Sequence, residues 1–289
     1  MLVFKEIVPG IALLETPFSG AWSGVTLVRG DGNMLIDSGA TAAVVDDCIV
    51  PALHREGLAL SDLAWLLNTH CHGDHVGGHH RIRELAAVPT ATFAGSLDKM
   101  RDPLKYNKLI RARFPTYSPP PAAVLLGVEP DRLLQDNELV AGRLRLLHTP
   151  GHDDDAVSWL DETTGTLICG DTLQGNGTAS QGIGFYQDLA AYRATLRRLL
   201  GLDIRNIVAG HDYVPFGSVI LGRAKVRACL EQCLQLTDLY DKITADICRE
   251  GPQDPVTVAR RLIQRMGGSE PAFLFLALYT AAEHLKGIG

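Results

Sequence analysis

Between Thr69 and Gly78 the chain reads Thr-His-Cys-His-Gly-Asp-His-Val-Gly-Gly, placing the imidazoles of His70, His72 and His75 and the carboxylate of Asp74 within six positions. Imidazole nitrogen and carboxylate oxygen are borderline ligands that suit zinc. Iron and manganese accept the same donors, so Fe or Mn stand as alternatives. A polar loop whose histidines bond only to water is the plainer reading. Four ligand-type residues at alternating spacing, bracketed by glycines, favour a cation instead.

Three further residues of ligand type sit downstream in short segments that each follow an apolar run: His152 in Thr149-Pro150-Gly151-His152, Asp171 in Cys169-Gly170-Asp171-Thr172, and His211 in Ala209-Gly210-His211-Asp212. Strands must deliver them. The pattern predicts strands at 11–14, 25–28 and 34–36, the last two joined by Gly30-Asp31-Gly32-Asn33. A helix is expected over 41–56 and a buried strand over 63–67, ending at Asn68-Thr69-His70. Strands at 89–93, 144–148, 157–160, 166–169 and 204–208 follow, with a helix over 188–200. Such alternation implies α/β layering with functional loops at strand ends.

From about residue 216 the pattern turns helical, with breaks at Gly251-Pro252 and a new start at Asp254-Pro255. Residues 1–215 therefore read as a catalytic domain and 216–289 as a helical C-terminal domain. The segment 96–121 carries Lys99, Arg101, Lys105, Lys108, Arg111 and Arg113 before Pro119-Pro120-Pro121, and reads as a basic lid. Forty-six per cent of the 289 residues are apolar, enough for a full core. Charges precede the first apolar run and no stretch reaches a membrane span, so a soluble chain without export signal is expected. Six scattered cysteines suit reduced thiols and a cytoplasmic location. A net charge of -6 argues against a general nucleic-acid binder.

The HxHxDH run of His70, His72, Asp74 and His75, with His152, Asp171 and His211 in order behind it, resembles the metallo-β-lactamase superfamily over residues 10 to 215. That resemblance implies an αββα sandwich with a small helical C-terminal appendage. It implies that His70, His72 and His152 hold one Zn²⁺, that Asp74, His75 and His211 hold a second, and that Asp171 bridges them. Two cations about 3.5–4 Å apart then clamp one hydroxide as nucleophile, with Asp74 and Asp171 as the catalytic carboxylates. Asp37 matches an acidic position that orients the ligand loop from behind; an Asx turn capping the strand is the competing reading.

The full ligand set and the helical C-terminal part resemble hydroxyacylglutathione hydrolases and related acyl-thioester hydrolases, so thioester hydrolysis of a small anionic substrate is the first expectation. Phosphodiester or RNA cleavage is the alternative, since lactamase-like endoribonucleases share the pattern from Thr149 onward. A lactonase, or a regulatory protein with a vestigial site, completes the set. True β-lactamases lack the bridging aspartate or alter a ligand, and flavodiiron enzymes carry glutamate where His72 stands.

Tyr186, Lys105, Arg111, Arg223 and Lys225 are the candidate substrate contacts, with Lys108, Arg113 and Arg227 as further cations able to hold an anionic thiol carrier. His79 and His80 read as surface histidines beyond the glycines. Cys71, out of phase with its neighbours, reads as a packed thiol, as do Cys229 and Cys233 on one helix face. The stripe Leu189, Tyr192, Leu196, Leu199 makes Tyr192 core. Asp153-Asp154-Asp155 depart from the small or hydroxyl residues that relatives carry after His152; those acids tune the metals or cap the loop.

Overall fold

The computed structural model describes residues 2–288. Seven strands form one sheet in chain order: β1 (Lys5–Val8), β2 (Ile11–Phe18), β3 (Ala21–Val28), β4 (Asn33–Ile36), β5 (Leu63–Leu67), β6 (Thr90–Phe93) and β7 (Arg132–Leu134). A six-stranded sheet follows, built from β8 (Leu139–Val140), β9 (Leu144–His148), β10 (Val157–Asp161), β11 (Thr166–Gly170), β12 (Asn206–Tyr213) and β13 (Gly217–Leu221), in reverse chain order across the sheet.

The two-residue side-chain period of a strand explains the layering. Along β2, Ile11 and Leu13 point between the sheets, while Ala12 and Leu14 face the helical layer that holds Ile49 and Leu53. Along β11, Ile168 faces the other sheet and Leu167 and Cys169 face the opposite helices. Each sheet thus buries both faces, and the result is the αββα sandwich expected from the sequence. Trp159 of β10 is enclosed between the sheets and donates its indole N–H to the Asn68 carbonyl at 3.0 Å. That bond, with Val157 N–H to the Thr69 carbonyl at 2.7 Å, fixes the loop that opens the histidine motif.

Several elements differ from the sequence reading. The strands β1, β7, β8 and β13 are absent from the sequence reading and owe their place to sheet pairing. Ile204 and Arg205 precede β12, which runs on to Tyr213 and so includes His211. The helix over 41–56 is real but contains a π-turn at Val45–Ile49. The change to helices comes later than 216, because β13 continues the sheet to Leu221 and the first C-terminal helix is Arg223–Cys248. Pro255–Arg265 and Leu274–Lys286 follow. These helices and Leu189–Leu200 bury Leu196, Leu230, Leu262 and Leu278 in one cluster with Leu167 and Ile207 of the sheet.

Segment 96–121 is also ordered by local rules. Leu97–Arg101 is followed by Pro103–Ala112, which starts with proline at its first position and with the Asp102 carboxylate accepting from Lys105 N–H at 2.9 Å.

Candidate metal centre

All seven expected ligands converge at one end of the sandwich. His70 leaves β5, His152 follows β9, Asp171 follows β11 and His211 lies within β12, where the ladder to β13 shifts register. His72, Asp74 and His75 lie at or on the short helix Gly73–Val76. Donor atoms of His70, His72, His152 and Asp171 form one group within 4.8 Å of one another, and those of Asp74, His75 and His211 form a second. Asp171 reaches both groups: Oδ1 lies 3.3 Å from His75 Nε2, and Oδ2 lies 3.5 Å from His152 Nε2 and 3.4 Å from His211 Nε2.

Each ring is aimed by the partner of its other nitrogen, which fixes the tautomer. His75 Nδ1 donates to Asp37 Oδ2 at 2.8 Å, His152 Nδ1 to the Phe185 carbonyl at 3.0 Å, and His211 Nδ1 to the Trp22 carbonyl at 2.6 Å. His70 Nδ1 donates to Thr69 Oγ1, which donates onward to Asp37 Oδ2. The four Nε2 atoms therefore face the centre. His72 is turned the other way, with Nδ1 inward, 3.1 Å from His152 Nε2. Asp37 adopts φ +65° and accepts Thr69 N–H at 2.7 Å, so both its oxygens brace the ligand loop.

The residues fit metal ions. His70 Nε2, His75 Nε2 and Asp171 Oδ1 are buried polar atoms without a hydrogen-bond partner, all turned into this centre, and such groups are costly unless a ligand satisfies them. The approach is tight: a Cβ on Gly210 would come within 2.5 Å of Asp171 Oδ1 and 2.8 Å of the His75 ring. Gly170 holds φ +47°, and a Cβ there would strike Thr69 Oγ1 at 2.3 Å.

Charge is divided unevenly. Burial pushes the His70, His72 and His152 imidazoles down, so they stay neutral. Burial also opposes charge on His211 and His75, but Asp171 and Asp74 outweigh it. They raise His211 to about 10 and hold His75 well above its ordinary value. Burial lifts Asp74, yet His75 and His211 bring it down to about 2. Both rings must shed a proton before they can ligate, so cation affinity should climb as pH rises towards about 10 and fall below neutrality. Calorimetric zinc titration at pH 7 in buffers of different ionisation enthalpy is expected to show release of between one and two protons.

A cavity of about 750 Å³ opens onto the centre. Phe18, Trp22, Ile110, Leu125, Phe185 and Phe275 supply much of its wall, with His72, Asp74, His152, Asp171 and His211 at its floor. Of the candidate substrate contacts, Arg111 lines this cavity. Tyr186 does not: it is buried, stacked on Tyr192 with 4.7 Å between ring centroids, and its hydroxyl meets His284 Nε2 at 2.6 Å. Its neighbour Phe185 lines the cavity instead. Lys105 is exposed outside the wall; Arg223 is exposed and bound to Asp203 at 2.6 and 2.8 Å; Lys225 is exposed on the far helix. Short-range helical spacing cannot say which cations face inward, and most face water.

Two further readings change. His79 is buried, not on the surface, because the helix His79–Leu85 turns its first residue onto the Ser38 hydroxyl at 2.7 Å. Burial brings its imidazole down to about 3. His80 is half-buried near Glu84 at 3.8 Å. Lys99, read as one of the basic residues of the lid, turns inward: its ammonium meets Asp153 at 2.6 Å, Asp155 at 3.0 Å, and Asp154. Asp153 Oδ2 lies 3.4 Å from His72 Nε2 and accepts the Tyr106 hydroxyl, and the Tyr106 ring stacks on His72 at 5.9 Å. Sequence reasoning missed Tyr106, Gln174 and Trp22. Gln174 donates to the Asp171 carbonyl at 2.6 Å and accepts Phe185 N–H at 2.9 Å. An uncharged residue beside two lysines and a lone glutamine after a ligand carry no spacing signal.

Comparison with known proteins agrees with this geometry. The hydroxyacylglutathione hydrolase of Synechococcus sp. (strain JA-2-3B'a(2-13)) is 30% identical over 60% of this chain, and the match spans 60% of that relative's own length. A metallo-beta-lactamase family protein from Thermus thermophilus superposes with TM-score 0.75 at 23% identity, covering 98% of this chain and 95% of that one. A Beta-lactamase domain protein from Burkholderia ambifaria gives TM-score 0.73 at 21% identity, covering 99% and 87%. These two likenesses concern the fold. The sequence profile described as Metallo-beta-lactamase superfamily matches residues 23–211, the stretch from within β3 through His211. With its donors gathered at one end of an αββα sandwich, the chain belongs to the metallo-beta-lactamase superfamily.

Proposed function

We propose that the protein is a dinuclear zinc hydrolase acting on an acyl thioester with a sizeable apolar portion. The observation that carries this reading is the aromatic and aliphatic cavity that ends on the two donor groups. Apolar walls reward burial of a hydrocarbon or aromatic acyl group. They offer little to a ribose-phosphate chain, which calls for rows of cations and stacking platforms. Lys105, Arg223 and Lys225 lie outside the wall, which lowers the nuclease alternative. The naming of a curated relative as a hydroxyacylglutathione hydrolase points to the same reaction class.

When bound, a pair of divalent cations supplies Lewis acidity and acidifies a water towards pH 7. The chain's own groups do the positioning. Asp37 and Thr69 hold His70 and His75 in register, and Phe185 and Trp22 do so for His152 and His211. Asp74 stays ionised at neutral pH at the cavity floor, where it can take the proton of the attacking water. A new C–O bond forms at the acyl carbon, the C–S bond breaks, and the departing thiolate takes up the proton. Residues 1–215 supply this chemistry, and the helices after them close the pocket through Phe273, Phe275 and Leu276.

Among the described residues no helix is long and apolar enough to cross a membrane, and all six cysteines are free, which fits a reducing cytoplasm. The test is turnover by zinc-loaded protein on acyl-glutathione and acyl-CoA thioesters, homoserine lactones, a phosphodiester, single-stranded RNA and a cephalosporin. Thioester turnover is expected; RNA or phosphodiester turnover in its place would overturn the reading.

A further inference from the structure

The cavity wall carries the guanidinium of Arg111, which makes no ion pair with a carboxylate among the described residues. Arg111 rides on the helix Pro103–Ala112 and gives one hydrogen bond, from Nη1 to the Asn107 carbonyl at 3.0 Å. Its Nε is buried without a partner, and its guanidinium carbon lies 5.8 Å from the Phe275 ring centroid. The neighbouring cations are already committed: Lys99 to three aspartates, Arg101 to Glu129 at 2.6 and 2.7 Å, and Arg113 over the Tyr279 ring at 4.6 Å.

A partly desolvated guanidinium with a buried, unpartnered Nε is unfavourable unless something completes it. Burial works against its charge, and Asp74 is the carboxylate that favours it. Asp74 is also a metal donor, so cations at the centre would neutralise the one acid that supports Arg111. An anionic group on a bound ligand would answer both. The planar fork of arginine matches a carboxylate or a phosphate.

We propose that Arg111 is the anion anchor of this cavity, holding a carboxylate or phosphate of an amphipathic ligand whose apolar body lies against Ile110, Leu125, Phe185 and Phe275. The chemistry performed on that ligand rests on the thioester reading; the binding does not.

Two measurements separate these. Calorimetry on the metal-loaded protein compares 4-phenylbutyrate with its neutral amide. The wild type should prefer the acid by tenfold or more, and Arg111→Met should abolish that preference while leaving amide binding unchanged, with Arg111→Lys restoring part of it. An Arg111→Met variant that binds the acid as tightly as wild type, or that loses acid and amide equally, overturns the anchor.

The second measurement compares hexanoyl-N-acetylcysteamine, its ω-carboxylate analogue adipoyl-N-acetylcysteamine, and hexanoyl-CoA. A tenfold loss of kcat/KM in Arg111→Met on the adipoyl ester places the anion on the acyl group; a loss on the CoA ester places it on the thiol carrier. Equal losses on all three overturn the anchor. Absence of all thioester turnover, with the acid preference intact, sinks the thioester reading and leaves the anchor standing.

Discussion

Asp171→Ala should reduce the metal content of the purified protein from two ions to one and lower hydrolysis about a thousandfold, while the fold survives. The side chain is buried, and its two oxygens face His75 on one side and His152 and His211 on the other. Burial alone would raise its carboxyl, yet His211 and His75 hold it far below the usual range, so it is ionised at any working pH. Removing it takes away the one donor shared by both groups. A stabilisation of several kcal/mol on the reacting centre, about 4, corresponds to roughly three orders of magnitude in rate. The fold should persist because the sandwich is held by the apolar clusters on the faces of its sheets, to which this carboxylate does not belong; circular dichroism checks that, and elemental analysis with thioester turnover checks the rest. Two retained ions and full turnover would refute the dinuclear mechanism.

Lys99→Met should cost about 3–5 kcal/mol of stability at pH 8, the range for stripping one partner from a buried ion pair. The ammonium is largely enclosed and answers Asp153 and Asp155, which are themselves 3% and 1% exposed. Burial and Asp153 already hold Asp155 at about 7 even with Lys99 opposing them. Without the lysine Asp155 moves further up, and Asp153, which burial lifts but Lys99 helps hold below its ordinary value, rises with it. A carboxyl that is protonated in the fold but ionised when unfolded weakens the fold above its unfolded pKa of about 4 and not below it. The deficit should therefore be large at pH 8 and shrink as the pH falls towards 4. Denaturant titrations of both proteins at pH 8 and pH 5 measure it, and an equal deficit at the two values would exclude the charge argument.

How much of this was legible in the residues depended on the range of the forces involved. The gathering of the candidate ligands was legible because their types and spacing suggest the chemistry: His70, His72, Asp74 and His75 need one loop, and His152, Asp171 and His211 each need one strand end. Strands such as Leu63–Leu67 and Leu144–His148 were legible from continuous or alternating apolar runs, and their bounds agree with the structure. The cavity wall was not. Tyr186 and Phe185 are adjacent, and the direction of the chain after Gly184 sends Phe185 to the metal ligands and Tyr186 to His284. The sequence could not sort the lid cations for the same reason. Lys99 and Arg111 are twelve positions apart on similar helices, and aspartates more than fifty residues downstream decide that one is internal and the other faces the cavity. The buried His79 was hidden because Ser38 lies forty-one positions upstream.

The core that joins Leu167, Cys169 and Ile207 to Leu230, Leu262 and Leu278 has a consequence for how this molecule can change over time. Cys169 stands two residues before Asp171, and Tyr279 of the last helix donates to the Ile110 carbonyl and packs on Phe185 at 5.5 Å. The terminal helix therefore serves at once as foundation for a sheet and as rafter for the pocket. It cannot be exchanged for another terminal segment, as a tethered module could, without redrawing both. Variation in what the cavity accepts is accordingly confined to side-chain replacement within a fixed frame, chiefly on the helix that bears Arg111 and on the face of the last helix that bears Phe275.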